Sequence, residues 1–188
     1  MFDLILKGGE VFDGSGTESI IGDVAIKDGI IAAIERGGVL KPSKAENVIN
    51  VDGLVVSPGF IDMHTHSDFT LIADGRAESQ VHQGVTTEVI GQCGHSCAPV
   101  NSPDVIPRIA PWYTAKAKHD TWLGFGDYLD VLDKIGLGVN VMAFVGHGTI
   151  HRAIMGGELQ PGEQDEVAEM ARLVDKCMDE GAGGFSSG

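Results

Sequence analysis

The sequence predicts an α/β protein in which a short all-β segment leads into a parallel sheet with right-handed crossovers. Three observations carry this. Up to Val51 the chain is a series of short apolar runs separated by turns, and from Pro58 onward strand-like and helix-like stretches alternate. Three successive strand ends in that second part bear a histidine or a cysteine: His64 and His66, then Cys93, then His147. Strand ends of one parallel sheet share a rim, so residues far apart in sequence meet there.

The β segment reads as Leu4–Lys7, Glu10–Phe12, Asp23–Ile26, Ile30–Ile34 and Asn47–Val51. Asp28-Gly29 is a two-residue hairpin turn, and Asp13-Gly14-Ser15-Gly16 is turn chemistry of the same kind. Residues 1–57 are expected to be a small β-sandwich, or half of one. After Asp52-Gly53 the run Leu54–Phe60 is expected to become a buried strand that continues into Gly59–Asp68, with a domain boundary near Ser57. Residues 58–188 form the second domain. There we expect a helix from Arg76 to Gln83, a β-branched strand over Val85–Ile90, and a helix from Asp127 to Ile135 with Tyr128, Leu132 and Ile135 on one face. A strand follows over Val139–Val145, then a helix from Glu163 to Glu180 with Val167, Met170, Ala171, Val174, Cys177 and Met178 at 3.6-residue spacing. Gly183–Ser186 begins a further strand. His95–Gly124, rich in proline and carrying Trp112 and Trp122, is too long for a plain connector and is expected to be an active-site loop or lid.

Composition narrows the function classes. With 43% hydrophobic and 21% charged residues, the 188-residue chain has the makings of an ordinary globular core. A formal charge of −14 argues against a nucleic-acid backbone or an anionic membrane surface as partner. No apolar run is long enough to span a bilayer, and Met1-Phe2-Asp3-Leu4 lacks the basic start of a secretory signal, so the cytoplasm is the expected compartment. Cys93, Cys97 and Cys177 are odd in number and without paired spacing, which predicts reduced thiols.

On a strand, His64 and His66 would face the same way with Cα atoms roughly 6.5 to 7 Å apart, close enough for two imidazoles to converge on one ion. A bare His-x-His fits two ordinary strand histidines equally well; its place at the end of an apolar run favours a metal. Cys93 lies between Gly91 and Gly94, where the backbone turns sharply, and a thiol beside a divalent cation loses its proton at neutral pH. Cys97 has no strand-end placement and Cys177 sits on the apolar face of a helix, so both read as small buried hydrophobes. His82, His95, His119 and His151 are expected to be structural or exposed.

Pro58-Gly59-Phe60-Ile61-Asp62-Met63-His64-Thr65-His66 resembles the first-strand signature of the amidohydrolase superfamily, metal-dependent hydrolases on a (β/α)8 TIM-like barrel beside a small β-sandwich. Asp3 to Gly14 is similar to the start of that sandwich. Gly91-Gln92-Cys93-Gly94-His95-Ser96-Cys97-Ala98-Pro99 resembles the N-acyl-D-amino-acid deacylases, in which a cysteine stands where dihydropyrimidinase-like members have a carboxylated lysine. Val145 to Ile150 and Gly181 to Gly188 are similar to the same family. Where that family usually has an arginine this chain has His151, with Arg152 one place later.

The resemblance implies a zinc enzyme that hydrolyses the amide of small N-acyl-D-amino acids. His64, His66 and Cys93 are its candidate metal ligands: Cys93 and later histidines would hold one tightly bound zinc ion, and His64 and His66 would complete that centre or hold a second, weaker metal. His147 and Arg152 are the candidate substrate-binding residues. The general-base aspartate and two further histidine ligands are expected beyond Gly188, so the sequence reads as the first half of a barrel. The alternatives are a cyclic-amide hydrolase or deaminase of the same superfamily, which Cys93 disfavours, and a non-catalytic metal-binding half-barrel.

Overall fold

The computed structural model describes residues 1–106, 121–156 and 160–188. The chain divides into two compact units, Met1–Pro58 and Gly59–Gly188. Prolines Pro107 and Pro111, together with Trp112 and His119, lie outside the described residues, and so does the stretch 107–120 of the expected lid.

The first unit is a mixed sheet built on one long strand. Strand β1 (Phe2–Val11) pairs antiparallel with β2 (Ile20–Lys27), which pairs antiparallel with β3 (Ile30–Arg36). The other edge of β1 is shared in parallel by β4 (Ala45–Asn50) and β5 (Val55–Val56). The two runs read separately from the sequence, Leu4–Lys7 and Glu10–Phe12, are one strand whose register slips between Leu6 and Gly9. Gly8, at φ 82°, absorbs the extra residue. Asp28 and Gly29 make the expected hairpin turn, with φ of 51° and 75°. One side chain organises this unit. Asp23 is fully buried, and its carboxylate accepts from the backbone N–H of Gly8 (2.9 Å) and of Leu40 (2.9 Å) and from Lys7 Nζ (3.3 Å). Lys7 Nζ also donates to the carbonyls of Gly38 and Leu40, so a single ion pair ties β1, β2 and the loop after β3 together.

The expected continuous strand from Leu54 into the histidines does not form. Val55–Val56 belongs to the first sheet, and the chain leaves it at Ser57-Pro58-Gly59 before resuming as β6 (Phe60–Asp62). Pro58 has no N–H to give a ladder and holds Ser57 extended, which ends pairing there. Nor is β6 buried: Phe60 and Ile61 are 61% and 59% exposed.

In the second unit β6, β7 (Val85–Ile90), β8 (Asn140–Gly146) and β9 (Gly184–Ser186) lie side by side in sequence order, all parallel. This is a curled half-barrel. Helices α1 (Asp68–Ala73) and α2 (Glu78–Val81) fill the first crossover; the Arg76–Gln83 helix expected from sequence is reduced to the single turn of α2. Arg76 is spent instead on Asp74, through Nε at 2.9 Å and Nη2 at 2.6 Å. Helix α3 (Phe125–Ile135) forms close to where it was expected and buries Phe125, Tyr128, Val131 and Leu132. Its first turn is held by Asp127, which accepts from Gly124 N–H (2.9 Å), and by Glu180, which accepts from Phe125 N–H (2.9 Å) and Gly126 N–H (3.1 Å). Helix α4 (His147–Met155) was not foreseen, because Gly146-His147-Gly148 reads as turn chemistry. Helix α5 (Gln164–Asp179) matches its 3.6-residue pattern, although Val167 and Met178 on that stripe are 53% and 44% exposed and only Cys177 is buried. The core lies between sheet and helices, where Ile90, Ala143 and Val145 meet Leu71, Trp122, Phe125 and Tyr128. No helix among the described residues is long and apolar enough to cross a membrane.

Replacing Asp23 by alanine should destabilise the first unit by about 3 kcal/mol, because two N–H groups and a lysine lose a buried partner at once. A denaturant midpoint unchanged from wild type would count against this role for the carboxylate.

Candidate metal centre

The histidines reach the site by a turn, not by the strand pleat. Strand β6 stops at Asp62, whose Oδ1 accepts the N–H of His64 at 3.1 Å, and this Asx turn lifts the chain out of the ladder. Thr65 N–H then bonds back to the Val89 carbonyl on β7 (3.3 Å). His64 and His66 therefore lie past the strand end, with ring centroids 5.6 Å apart at an interplanar angle of 64°. The expectation that strand alternation aligns them is corrected, although the two rings do meet.

Cys93 arrives from β7 through an unusual turn. Gly91, Cys93 and Gly94 all have positive φ, at 77°, 52° and 71°. A Cβ at Gly91 would collide with the Phe144 carbonyl on β8, so only glycine fits there. For Cys93 the left-handed conformation costs about 1–2 kcal/mol. In return its Sγ sits 3.1 Å from His64 Nε2.

One ligand atom from each of His64, His66 and Cys93 lies within 4.8 Å of the others. Two imidazole nitrogens and a thiolate sulfur are the donors zinc prefers, and tetrahedral bonds of about 2.0 to 2.3 Å place nitrogen and sulfur roughly 3.5 Å apart. The residues present fit such an ion. All three side chains are open to solvent, as a site with an accessible position requires.

Behind the ligands lies a polar layer that the sequence reading missed. Ser67 Oγ donates to the Glu88 carboxylate, Gly91 N–H donates to Asp68 Oδ1 (2.9 Å), and Gln92 Nε2 donates to the carbonyls of Met63 (3.1 Å) and Val89 (3.2 Å). Glu88 is fully buried, and its Oε1 has no hydrogen-bond partner among the described residues. Burial pushes the Asp68 carboxyl up to about 6, against the pull of its own and the Gly91 N–H groups and of His66. Tyr128 Oη donates to the Asp68 carbonyl at 3.2 Å, tying this layer to α3. A signal for it did exist in the sequence: Glu88 is the one charged residue of the otherwise uncharged strand Val85–Ile90.

The substrate candidates are placed apart. His147 is exposed at the first residue of α4, 6.4 Å between ring centroids from Phe185, and borders a hollow of about 500 Å³ with Ile150, Met170 and Val174. Arg152, further along α4, borders a different crevice with Ser96, Asn101 and Thr149. Of the other histidines, His151 Nε2 lies 3.0 Å from the Gln160 carbonyl, His82 ends α2, and His95 is exposed. Cys97 and Cys177 are buried, and burial raises both thiols, Cys177 to about 11.

Fold and site together define a class: a parallel α/β half-barrel with nitrogen and sulfur donors at the carboxyl ends of its first two strands. Residues 47–188 match the profile of the amidohydrolase family. The chain belongs to that family. It is 37% identical to a D-aminoacylase of Alcaligenes xylosoxydans xylosoxydans over 190 aligned positions, covering 100% of this chain and 38% of the relative. It superposes on a D-aminoacylase structure described for its binuclear metal centre, with one-metal activation and second-metal attenuation, at a TM-score of 0.85 and 37% identity, over 100% of this chain and 39% of that one. An N-acyl-D-glutamate deacylase from Bordetella bronchiseptica, complexed with zinc and a phosphonate inhibitor, matches at a TM-score of 0.83 and 29% identity, covering 100% and 38%. The chain thus spans well under half the length of these proteins.

Exposure and burial predict the thiol chemistry. In the native, metal-free protein Cys93 should react with iodoacetamide while Cys97 and Cys177 stay protected, and Cys93→Ala should abolish the fast phase. Rapid labelling of Cys97, mapped by peptide mass, would contradict the placement.

Proposed function

We propose that these residues form the N-terminal part of a zinc-dependent amidohydrolase that converts N-acyl-D-amino acids to a carboxylate and a free D-amino acid in the cytoplasm. The observation that carries this reading is Cys93 at the end of β7, beside His64 and His66, in a chain 37% identical to a D-aminoacylase. His64, His66 and Cys93 would hold the ion, one bound tightly and a second more weakly. Zinc, when bound, supplies Lewis acidity toward the scissile carbonyl and acidifies its water. The chain's own part is positioning. The Asx turn at Asp62 aims His64, the left-handed turn aims Cys93, and Ser67, Asp68 and Gln92 fix one turn against the other. His147 and Arg152 are the substrate contacts we assign, with His147 beside an apolar hollow of a size to take an acyl chain or side chain. The ligand cluster holds no carboxylate. The base that takes a proton from water and returns it to the leaving amine is, as the resemblance to the N-acyl-D-amino-acid deacylases implies, an aspartate outside these residues.

Several measurements test the reading. In the whole protein, N-acetyl-D-amino acids should be hydrolysed far faster than their L-isomers, and dihydropyrimidines should not be opened. The reverse preference would defeat the substrate assignment. Cys93→Ala should lose zinc and activity together, whereas Cys97→Ala should keep its zinc. Full zinc by elemental analysis in Cys93→Ala would remove that residue from the ligand set. The 188 residues expressed alone should self-associate and lack deacylase activity, because strands β6 and β9 leave open edges and Phe60, Ile61, Met63 and Phe185 are exposed. A monodisperse monomer active on N-acetyl-D-amino acids would show later strands to be dispensable.

A further inference from the structure

The turn that carries Cys93 is braced from a strand more than ninety residues away in sequence. Ser186, the last residue of β9 and 8% exposed, donates its hydroxyl to the Gly91 carbonyl at 2.5 Å and accepts the Gly94 N–H at 3.1 Å. These two backbone groups bracket Cys93. Both glycines are buried, so each group that lost this partner would face a dry interior. The tail of β9 closes the same turn from the outside, since a Cβ on Gly188 would come within 2.5 Å of the Cys93 carbonyl. On the far side α4 closes it, with Thr149 N–H donating to the Gly94 carbonyl at 3.3 Å.

We propose that Ser186 is a positioning residue for Cys93, its hydroxyl spanning Gly91 and Gly94 and so holding the thiol in a left-handed backbone that would otherwise relax. The inference rests on Cys93 being a metal ligand. A non-glycine residue at φ 52° persists only where its surroundings over-determine it. A hydroxyl suits this place because it donates and accepts at once, and neither alanine nor valine can do either. Without it, Cys93 is free to return toward ordinary backbone angles, which swings Sγ away from His64 and His66. The hydroxyl never touches the ion; it acts through the backbone that presents the sulfur.

The test compares metal affinity with fold stability in the whole protein. Zinc is titrated against a chromophoric chelator, and cobalt is substituted so that the thiolate-to-metal charge-transfer band reports the sulfur directly. Ser186→Ala should bind zinc about 10- to 100-fold more weakly, the range expected when a group supporting a ligand is lost, with the cobalt band diminished. The metal-free melting temperature should fall as well, since two buried backbone groups lose their partner, and the cobalt band on the folded fraction reports the sulfur separately from that loss. Ser186→Thr, which keeps the hydroxyl, should restore affinity and band. If alanine leaves too little folded protein, Ser186→Thr against Ser186→Val asks the same question, since the two differ only in hydroxyl against methyl. Wild-type affinity in Ser186→Ala, alongside loss of metal in Cys93→Ala, would overturn the brace and leave the metal centre standing. Retention of metal in Cys93→Ala would remove the metal role itself, and the brace with it.

Discussion

The site depends on backbone hydrogen bonding between two turns that neither strand could shape alone. Segment 63–68 follows β6, segment 88–94 is the end of β7 with the turn after it, and the bonds between them run from Thr65 to Val89, Ser67 to Glu88, Gly91 to Asp68, and Gln92 to Met63. A parallel ladder fixes where two strands end relative to each other; it does not fix where a side chain beyond the end points. That task falls to these cross-bonds, and the separation of His64 Nε2 from Cys93 Sγ is their result. Three of these bonds have backbone on at least one side and the fourth joins Ser67 to the buried Glu88 carboxylate, which leaves little slack in the two segments.

The rest of the second unit supports that pair of turns. Ile90 and Val145, fully buried, anchor β7 and β8 against Phe125 and Tyr128, so the strand ends are fixed before the turns begin. Tyr128 continues the line outward to Asp68, and Trp122 Nε1 bonds the Cys97 carbonyl at 2.7 Å just past the Cys93 turn. Burial is uneven along the sheet: the end of β7 is buried on both faces, at Glu88, Val89 and Ile90, while Phe60, Ile61 and Met142 lie exposed.

How much of this was legible in the sequence follows from what each signal depends on. Strand positions were readable wherever β-branched runs were bounded by glycine, as at Val85–Ile90, and α5 was readable because its apolar stripe repeats over four turns. The single strand β1 was split in two because Gly8-Gly9 punctuates it, and only pairing with β2 shows the slip to be a bulge. The cluster of His64, His66 and Cys93 could be named from residue type and strand-end placement, yet the strand geometry assumed for the two histidines was wrong. Nothing local distinguishes a strand that continues through Asp62 from one that ends there in an Asx turn. The part played by Ser186 is invisible to any sequence window, since its partners are Gly91 and Gly94. Long-range polar contacts carry no periodicity.

Charge completes the account of why the carboxylates behind the ligands are tolerated. Glu88 and Asp68 are buried, one fully and the other 6% exposed, at a site where burying even one anion is costly. Ser67 and the Gly91 N–H meet part of that cost but leave Glu88 Oε1 without a partner among the described residues. On the proposed reading, a divalent ion held by His64, His66 and Cys93 would place a net positive charge at the rim in front of these acids. The polar layer and the candidate ligands would then act as one electrostatic unit: carboxylates costly to bury in the metal-free fold would favour the loaded one, from positions that also hold the two turns in place.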